Sequence, residues 1–484
     1  MRFTTFGTTL VIACTAACVS RPVFAQTQQA RADAPPIMLT RWGQLAHDVY
    51  KELIEINTAD SVGSTTVAAN AVAKRFLDAG FPPSDIFQGG PRADKGNIVV
   101  RYHGTGARKP LLLLAHLDVV QALKKDWSPD LDPYVFTERD GYYYGRGTSD
   151  DKAMVSIFVT DLLRLKAEHF VPDRDIILAL TADEEGGGSN GVRWLLANHK
   201  DLIDAEFAIN EGGGGALRDG KPFITSIGAA EKVSTNFTVS TTNRGGHSSV
   251  PRDDNAIYQL AAALTRIGSH QFPVMLNEVT RAYFTRTAAI ETPEVGAAMR
   301  AIVANPNDAA ASAVLSRDPR YRSMLRTTCV ATMLSGGHAR NALPQAASAN
   351  VNCRMAPGHD PADVRAGLIA AIGDTGVHVS APPPMEHAAP SPLTPEVMGP
   401  IEKVTREVFG PNVAVIPTMG TGATDSKYLR AEGIAGYGVS GLFGDPNDGR
   451  AHGKDERVLI KSYYESEDFL YRLVKEMSSG KVVP

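Results

Sequence analysis

The segment IILALTADEEGGG, residues 176–188, constrains the fold more than any other stretch of the chain. Its first five residues are apolar, with no polar alternation. That is the pattern of a strand buried on both faces of a parallel sheet. The strand runs directly into Asp183, Glu184 and Glu185, and then into three glycines. Three like charges at the end of a buried strand repel one another and are partly stripped of water. Each is driven towards keeping its proton unless cations are supplied. Taken alone, the stretch reads equally well as a solvated strand-to-helix turn or as a cation site.

The surrounding chain repeats the alternation. A helix is expected over 64–79, with Val67, Ala71, Val72 and Phe76 on one face and Gly80 closing it. Strands are expected at 97–102, 111–115, 176–181 and 206–209, and a helix at 152–167. This order implies an α/β fold with a mainly parallel sheet. At 484 residues the chain exceeds one hydrophobic core, so two domains are expected. Near 231 the pattern changes. VSTNFTVS alternates, a helix follows, TTCVATML and AASANVNC read as strands, and a helix and a short strand complete the run. The order β-α-β-β-α-β is ferredoxin-like, with its middle lengthened by a polar, mostly helical stretch from about 270 to 325. The proline cluster at 381–384 ends this unit. The expected organisation is therefore a first part over 26–230, an inserted smaller domain over 231–384, and a return to the first domain over 385–484.

Residues 1–25 stand apart. Arg2, an apolar stretch and Val-Phe-Ala before Gln26 make a secretory signal peptide, which implies a periplasmic location. Val11-Ile12-Ala13-Cys14 offers the alternative of a lipid anchor on Cys14. No other segment approaches the length of a membrane span. The net charge of −4 carries no basic stripe, which excludes nucleic acid and other polyanions as partners. Cleavage after residue 25 removes Cys14 and Cys18 and leaves Cys329 and Cys353. In an oxidising compartment these two are candidates for one disulfide. They lie on adjacent expected strands whose hairpin would centre on Asn341. Two buried thiols are the alternative.

Ligands of such sheets bind at the carboxyl ends of strands. LLLLA ends in His116-Leu117-Asp118, where an extended backbone lets Asp118 hydrogen-bond His116 and fix its tautomer. YYYGRGTSDDKA delivers Asp150 and Asp151 to the start of a helix, where an N-cap role is the simpler reading. Glu211 follows another apolar strand in INEGGGG, and His452 sits in the glycine-rich PNDGRAHGKDE. Each feature is weak alone. Together they place two histidines and several carboxylates at strand ends or glycine turns. Two histidines with three carboxylates suit a pair of metal ions, most readily Zn2+, that share one bridging ligand. One adjacent glutamate would then bind metal, and the other would be the base for a metal-activated water.

The ordered motifs H-L-D, GRGTSDDK, DEE-G-G, E-G-G and a late A-H resemble the dinuclear zinc peptidases and amidohydrolases. Bacterial glutamate carboxypeptidase, aminoacylase and carnosine dipeptidase are of this kind. The resemblance runs from about residue 40 to the end. It implies a zinc-binding α/β domain with an inserted lid, or dimerisation, domain. It further implies that His116 and Glu185 hold separate metals bridged by Asp150, with Glu211 on the first and His452 on the second. Asp118 would orient His116, and Glu184 would be the general base. From the lid, His247 in RGGHSSVP would contact the reacting carbonyl, and Arg340 and Asn341 in GGHARNALP would grip the substrate carboxylate. The long 270–325 stretch departs from the compact lid. The implied substrate is a small peptide cut next to its free carboxylate. An N-acyl amino acid is the alternative, and a metal-dependent binding protein without catalysis is a further one.

Overall fold

In the computed structural model, residues 39–186, 188–381 and 388–480 are described. The expected signal peptide, Cys14 and residues 382–384 lie outside them. The helices α1 (Arg41–Glu55) and α2 (Thr65–Asp78) precede strands β1 (Ile86–Arg92), β2 (Lys95–Tyr102) and β3 (Leu111–His116). Next come α3 (Lys152–Ala167), β4 (Ile176–Thr181), α4 (Gly191–Asn198), β5 (Phe207–Asn210), β6 (Gly214–Arg218) and β7 (Lys221–Glu231). The following stretch holds β8 (Val233–Thr242), β9 (Gly246–His247) and α5 (Ala256–Ser269). Four helices come after it: α6 (Glu278–Thr287), α7 (Pro293–Ala304), α8 (Ala309–Leu315) and α9 (Pro319–Leu325). Then come β10 (Thr328–Gly336), β11 (Ala342–Leu343), β12 (Ala346–Met355), α10 (Pro361–Ile372) and β13 (Val377–Val379). The chain closes with α11 (Pro395–Phe409), β14 (Ala414–Gly420), α12 (Ser426–Ala431), β15 (Ala435–Gly438), β16 (Phe443–Gly444) and α13 (Ile460–Met477).

Strands β3 and β4 are buried along their whole length, and each is an apolar run that ends in one polar residue, His116 or Thr181. Alternate side chains feed two cores. Leu111, Leu113 and Ala115 join α1, α2, α3 and α13 on one face. Leu112 and Leu114 join Val192 and Leu195 of α4 and Leu429 of α12 on the other. The large sheet runs β1-β2-β4-β3-β5-β15-β7-β6-β16, with β14 added beside β7. Its centre, β4-β3-β5-β15, is parallel. Both flanks carry antiparallel pairs: β1-β2 and β2-β4 on one side, β15-β7 and β7-β6 on the other. The expected mainly parallel sheet is therefore a mixed one. The tight turns that join β1 to β2 and β6 to β7 give antiparallel neighbours, whereas the helical crossovers at the centre impose parallel ones; β2-β4 and β15-β7 are antiparallel pairs of strands distant in the chain.

A separate four-stranded sheet, ordered β10-β12-β8-β13, is drawn wholly from 233–379. All its pairings are antiparallel. Numbered by chain position the order is 2-3-1-4, the ferredoxin-like arrangement of β-α-β-β-α-β. Helices α5 and α10 cover one face over a core of Phe237, Val239, Leu260, Val351, Leu368 and their neighbours. The long middle stretch departs from expectation. Val279, Phe284, Met299, Ile302, Leu315 and Leu325 of α6–α9 belong to the core of the large domain, not to this one. Arg286 of α6 reaches Glu402 and the Val415 carbonyl, both in the C-terminal part. The small sheet is built from residues between 233 and 379, but 278–325 packs back onto the large domain. Helices α6 and α7 carry apolar stripes, and these find their partners in the core of the large domain.

Cys329 of β10 and Cys353 of β12 are directly opposed and joined by a disulfide. The expected hairpin register holds from Thr328 to Ala331. Beyond that, a bulge at Thr332 shifts it by one residue, so Met333 faces Asn350.

Candidate active site

The carboxyl ends of the parallel strands β3, β4 and β5 lie side by side, which brings their following residues together. His116 ends β3 and is 2% exposed. Its Nδ1–H donates to the Asp118 carbonyl at 3.0 Å. A carbonyl only accepts, so the neutral ring carries its proton on Nδ1 and offers the Nε2 lone pair. Nε2 lies 2.9 Å from Asp150 Oδ1. The other Asp150 oxygen, Oδ2, lies 3.0 Å from His452 Nε2, and that nitrogen is 2.9 Å from Glu185 Oε1. Two donor groups result. One is His116, Asp150 and Glu211, the other Asp150, Glu185 and His452, and within each the ligand atoms lie within 4.8 Å of one another. Asp150 is common to both.

The charges of the protein alone bear on what this cluster can hold. Hydrogen bonds to Asp150 and Glu185 push His452 up to about 10. Burial would lower His116, but Asp150, Asp118 and Glu211 outweigh it and hold the imidazole well above its usual range. Glu211 is driven well up by burial and by Asp150, Asp151 and Glu184. Carboxylates in this excess, partly buried and facing two histidines, are a donor set for divalent cations. The residues therefore fit a pair of metal ions.

The two adjacent glutamates are separated by geometry. Glu185 touches His452, whereas the Glu184 side chain makes no hydrogen bond with another described residue. Burial, followed by Asp425, Glu185 and Asp118, raises the Glu184 carboxyl to about 8. The backbone N–H groups of Glu184 and Glu185 donate to the two Asp118 oxygens, each at 3.1 Å. Here the structure corrects the expected role of Asp118. Its carboxylate stands 3.7 Å from His116 Nδ1, and its carbonyl takes the imidazole proton instead. Asp118 fixes the histidine with its backbone and the glutamate turn with its side chain.

Asp183 is no ligand candidate. Its backbone is left-handed at φ 66°, and its carboxylate pairs with buried Lys95 at 2.9 Å and accepts the Ser189 N–H at 2.6 Å. Asp151 starts α3 without capping it through its side chain. The glycines act in two ways. Gly186 needs its positive φ of 117° with nothing crowding it, whereas a β-carbon on Gly213 would lie 2.0 Å from the Gly438 carbonyl. Two contributors carried no signal in the sequence. Lys95 sits on a strand far from the acidic turn it neutralises. Asp425, buried between Asn190 and Thr181 and pushed up to about 6 mainly by burial, faces the site only through the fold. Arg146 and Glu456 stand inside GRGTSDD and GKDE, yet their glycine-rich settings revealed nothing of their pairing.

His247, Arg340 and Asn341 are brought together, but on the inserted domain. His247 pairs with Ala342 across the β9-β11 ribbon, and the Ser248 N–H donates to the Asn341 carbonyl at 2.9 Å. The Ser249 N–H donates to His247 Nδ1 at 3.2 Å, leaving the Nε2–H of the neutral ring free to donate. All three residues are exposed, and Arg340 pairs with no other described residue. The cleft of about 310 Å3 onto which Asp150 and Glu211 open is lined by no described residue of the inserted domain.

Two donor groups that share one carboxylate, set at the strand ends of an α/β sheet, have the architecture of a two-metal hydrolase. The model of peptidase family M20/M25/M40 matches residues 112–476, and the chain belongs to that family. It is accordingly a hydrolase of peptide or amide bonds. It is 28% identical to the human N-fatty-acyl-amino acid synthase/hydrolase PM20D1, over 77% of this chain and 75% of that protein. It is 32% identical to a probable carboxypeptidase S-like 2 of Dictyostelium discoideum, over 76% and 71%. Among solved structures, the fold matches the M20 family metallo-carboxypeptidase Sso-CP2 of Sulfolobus solfataricus. The TM-score is 0.65 at 18% identity, over 90% of this chain and 99% of that one. Human carnosine dipeptidase 1 matches at 0.59 and 15%, over 92% and 100%.

Proposed function

We propose that the protein is a periplasmic, zinc-dependent carboxypeptidase or dipeptidase that cuts an amide bond next to a free carboxylate. The observation that carries this reading is the division of labour at residues 184 and 185. One glutamate touches the second donor group, and its neighbour stays free beside both groups. When bound, two divalent ions acidify water and polarise a carbonyl. His116, Asp150 and Glu211 would hold one ion, and Asp150, Glu185 and His452 the other. Glu184 takes the proton of the attacking water and passes it to the leaving amine. Asp118 keeps that carboxyl in place through two backbone N–H groups. His247 donates from Nε2 to the developing oxyanion, while Arg340 and Asn341 hold the substrate carboxylate. The inserted domain acts as the lid that presents these three residues, and a second copy of the chain joins through it. A leader over 1–25 and a disulfide between Cys329 and Cys353 both fit export from the cytoplasm; an N-terminus at Gln26 on protein from a periplasmic fraction would support it.

A second reading, hydrolysis of N-acyl amino acids, is favoured by the similarity to PM20D1. The deciding measurement is product release by the zinc-loaded protein from matched panels of dipeptides and N-acyl amino acids. Peptide cleavage that a chelator abolishes is expected. A clear preference for the acyl series would replace the peptidase reading by the second one. A protein that holds two zinc equivalents and turns over neither series would be a binding protein.

A further inference from the structure

The two donor groups are not supported alike. Arg146, 3% exposed, and Glu456, fully buried, form an ion pair of 2.7 Å directly behind the cluster. Glu456 gathers the loop that carries Asp150. It accepts the backbone N–H of Gly147 at 3.1 Å, of Ser149 at 2.8 Å and of Asp150 at 3.3 Å, together with the Ser149 hydroxyl at 2.9 Å. Arg146 gathers the loop that carries His452, donating to the carbonyls of His452 at 3.2 Å and Gly453 at 3.1 Å. That second loop needs holding, since the His452 backbone is left-handed at φ 61°, a conformation a β-carbon disfavours.

These bonds reach Asp150 and His452 and none of the other candidate ligands. His116 is held by the Asp118 carbonyl, and Glu185 by the Asp118 carboxylate. We infer that Arg146 and Glu456 are positioning residues that lock the Asp150 and His452 loops to each other and so sustain one of the two metal sites selectively. The site of Asp150, Glu185 and His452 has two of its three ligands on the paired loops. The site of His116, Asp150 and Glu211 has one. The inference rests on the dinuclear reading above.

The test is titration of the metal-free full chain with Zn2+ against a chromophoric chelator, for wild type, Glu456→Gln and Arg146→Lys. Wild type taking two equivalents is the premise; fewer would refute the dinuclear reading itself. In the variants one equivalent should keep near-wild-type affinity and the other weaken by about 10–100-fold, the usual effect of losing a ligand's supporting partner. Arg146→Lys keeps the charge at the buried position but cannot span both loops, so it carries the test if Glu456→Gln does not fold. A purely structural role would instead lower the thermal midpoint of the metal-free protein and leave the affinity ratio of the sites unchanged. Folded variants that bind both equivalents like wild type, or that weaken both equally, overturn the inference.

Discussion

Neighbouring residues of identical chemistry take different places at this site because the turn that carries them is fixed from outside. Glu184 and Glu185 hang from one carboxylate, Asp118, by their backbones, so their side chains diverge: one towards His452, the other into the cluster without a partner. Glu184→Gln should therefore keep two metal equivalents and lose about 10²–10⁴-fold in turnover, the scale of a lost general base. Glu185→Gln should lose metal. Metal analysis showing the reverse would exchange the two roles. Much of this was readable in the sequence, since glycines, strand ends and a fixed order of His, Asp and Glu are local signals. Lys95 and Asp425 were not. A lysine within a strand and an aspartate before a short helix gain their meaning only when folding brings them to the Asp183–Glu185 turn from 88 residues upstream of Asp183 and from far downstream. The job of the Asp118 carboxylate was misread for a related reason. Spacing shows that residues 116 and 118 share a face, but not whether the carbonyl or the side chain reaches the ring.

Among the elements, strands with strong periodicity were legible, and so was the pairing of β10 with β12, expected as neighbouring strands of one hairpin. The bulge at Thr332 was not, because nothing in ATML distinguishes an extra residue from a regular one. Cys353→Ala should cost the inserted domain about 2–4 kcal/mol, the usual range for a disulfide closing a loop of this order. Denaturant unfolding of oxidised wild type and variant measures it, and equal midpoints would show that the bond contributes nothing. A sharper test lies where β7 passes into β8. Lys232, between them, is 1% exposed and donates to the Arg326 carbonyl at 2.6 Å, tying two of the chain's passages between domains. Burial, with Arg354 nearby, lowers its ammonium to about 7, against about 10.4 in an unfolded chain. Between these values the unfolded state binds a proton that the folded state does not, so stability rises with pH across that window. The penalty is complete below about 7 and absent above about 10.4. Wild type should therefore gain stability relative to Lys232→Met on going from pH 7 to pH 9. A difference that stays constant with pH would mean that the ammonium is not penalised by its burial.

At the scale of the whole molecule, the fold leaves its two halves of chemistry apart. The metal-binding candidates lie on the large domain, and His247, Arg340 and Asn341 lie on the inserted one. Helices α6–α9 return from the inserted domain to the large domain's core, so the chain passes between the domains twice more than a simple insertion would need. If the inserted domain acts as the proposed lid, these additional tethers restrain a wide swing of it and favour supply of His247 from a second copy. Strand β10 is the edge of its sheet. It exposes Val330 at 58%, Met333 at 71% and Leu334 at 70%, an apolar, unpaired edge of the kind proteins rarely leave uncovered. Two such edges related by a twofold axis would pair antiparallel into one continuous sheet. The protein should then sediment as a dimer, and Leu334→Asp should yield monomers with unchanged zinc content. If His247 acts across that interface, the monomers should lose kcat by the same factor as His247→Ala, about 10²–10³-fold for a lost oxyanion donor. Mixing His247→Ala with Glu184→Gln should restore part of the activity, because the mixed dimer holds one site with both groups intact. Monomers with full kcat would place His247 in its own chain's site or outside the reaction altogether.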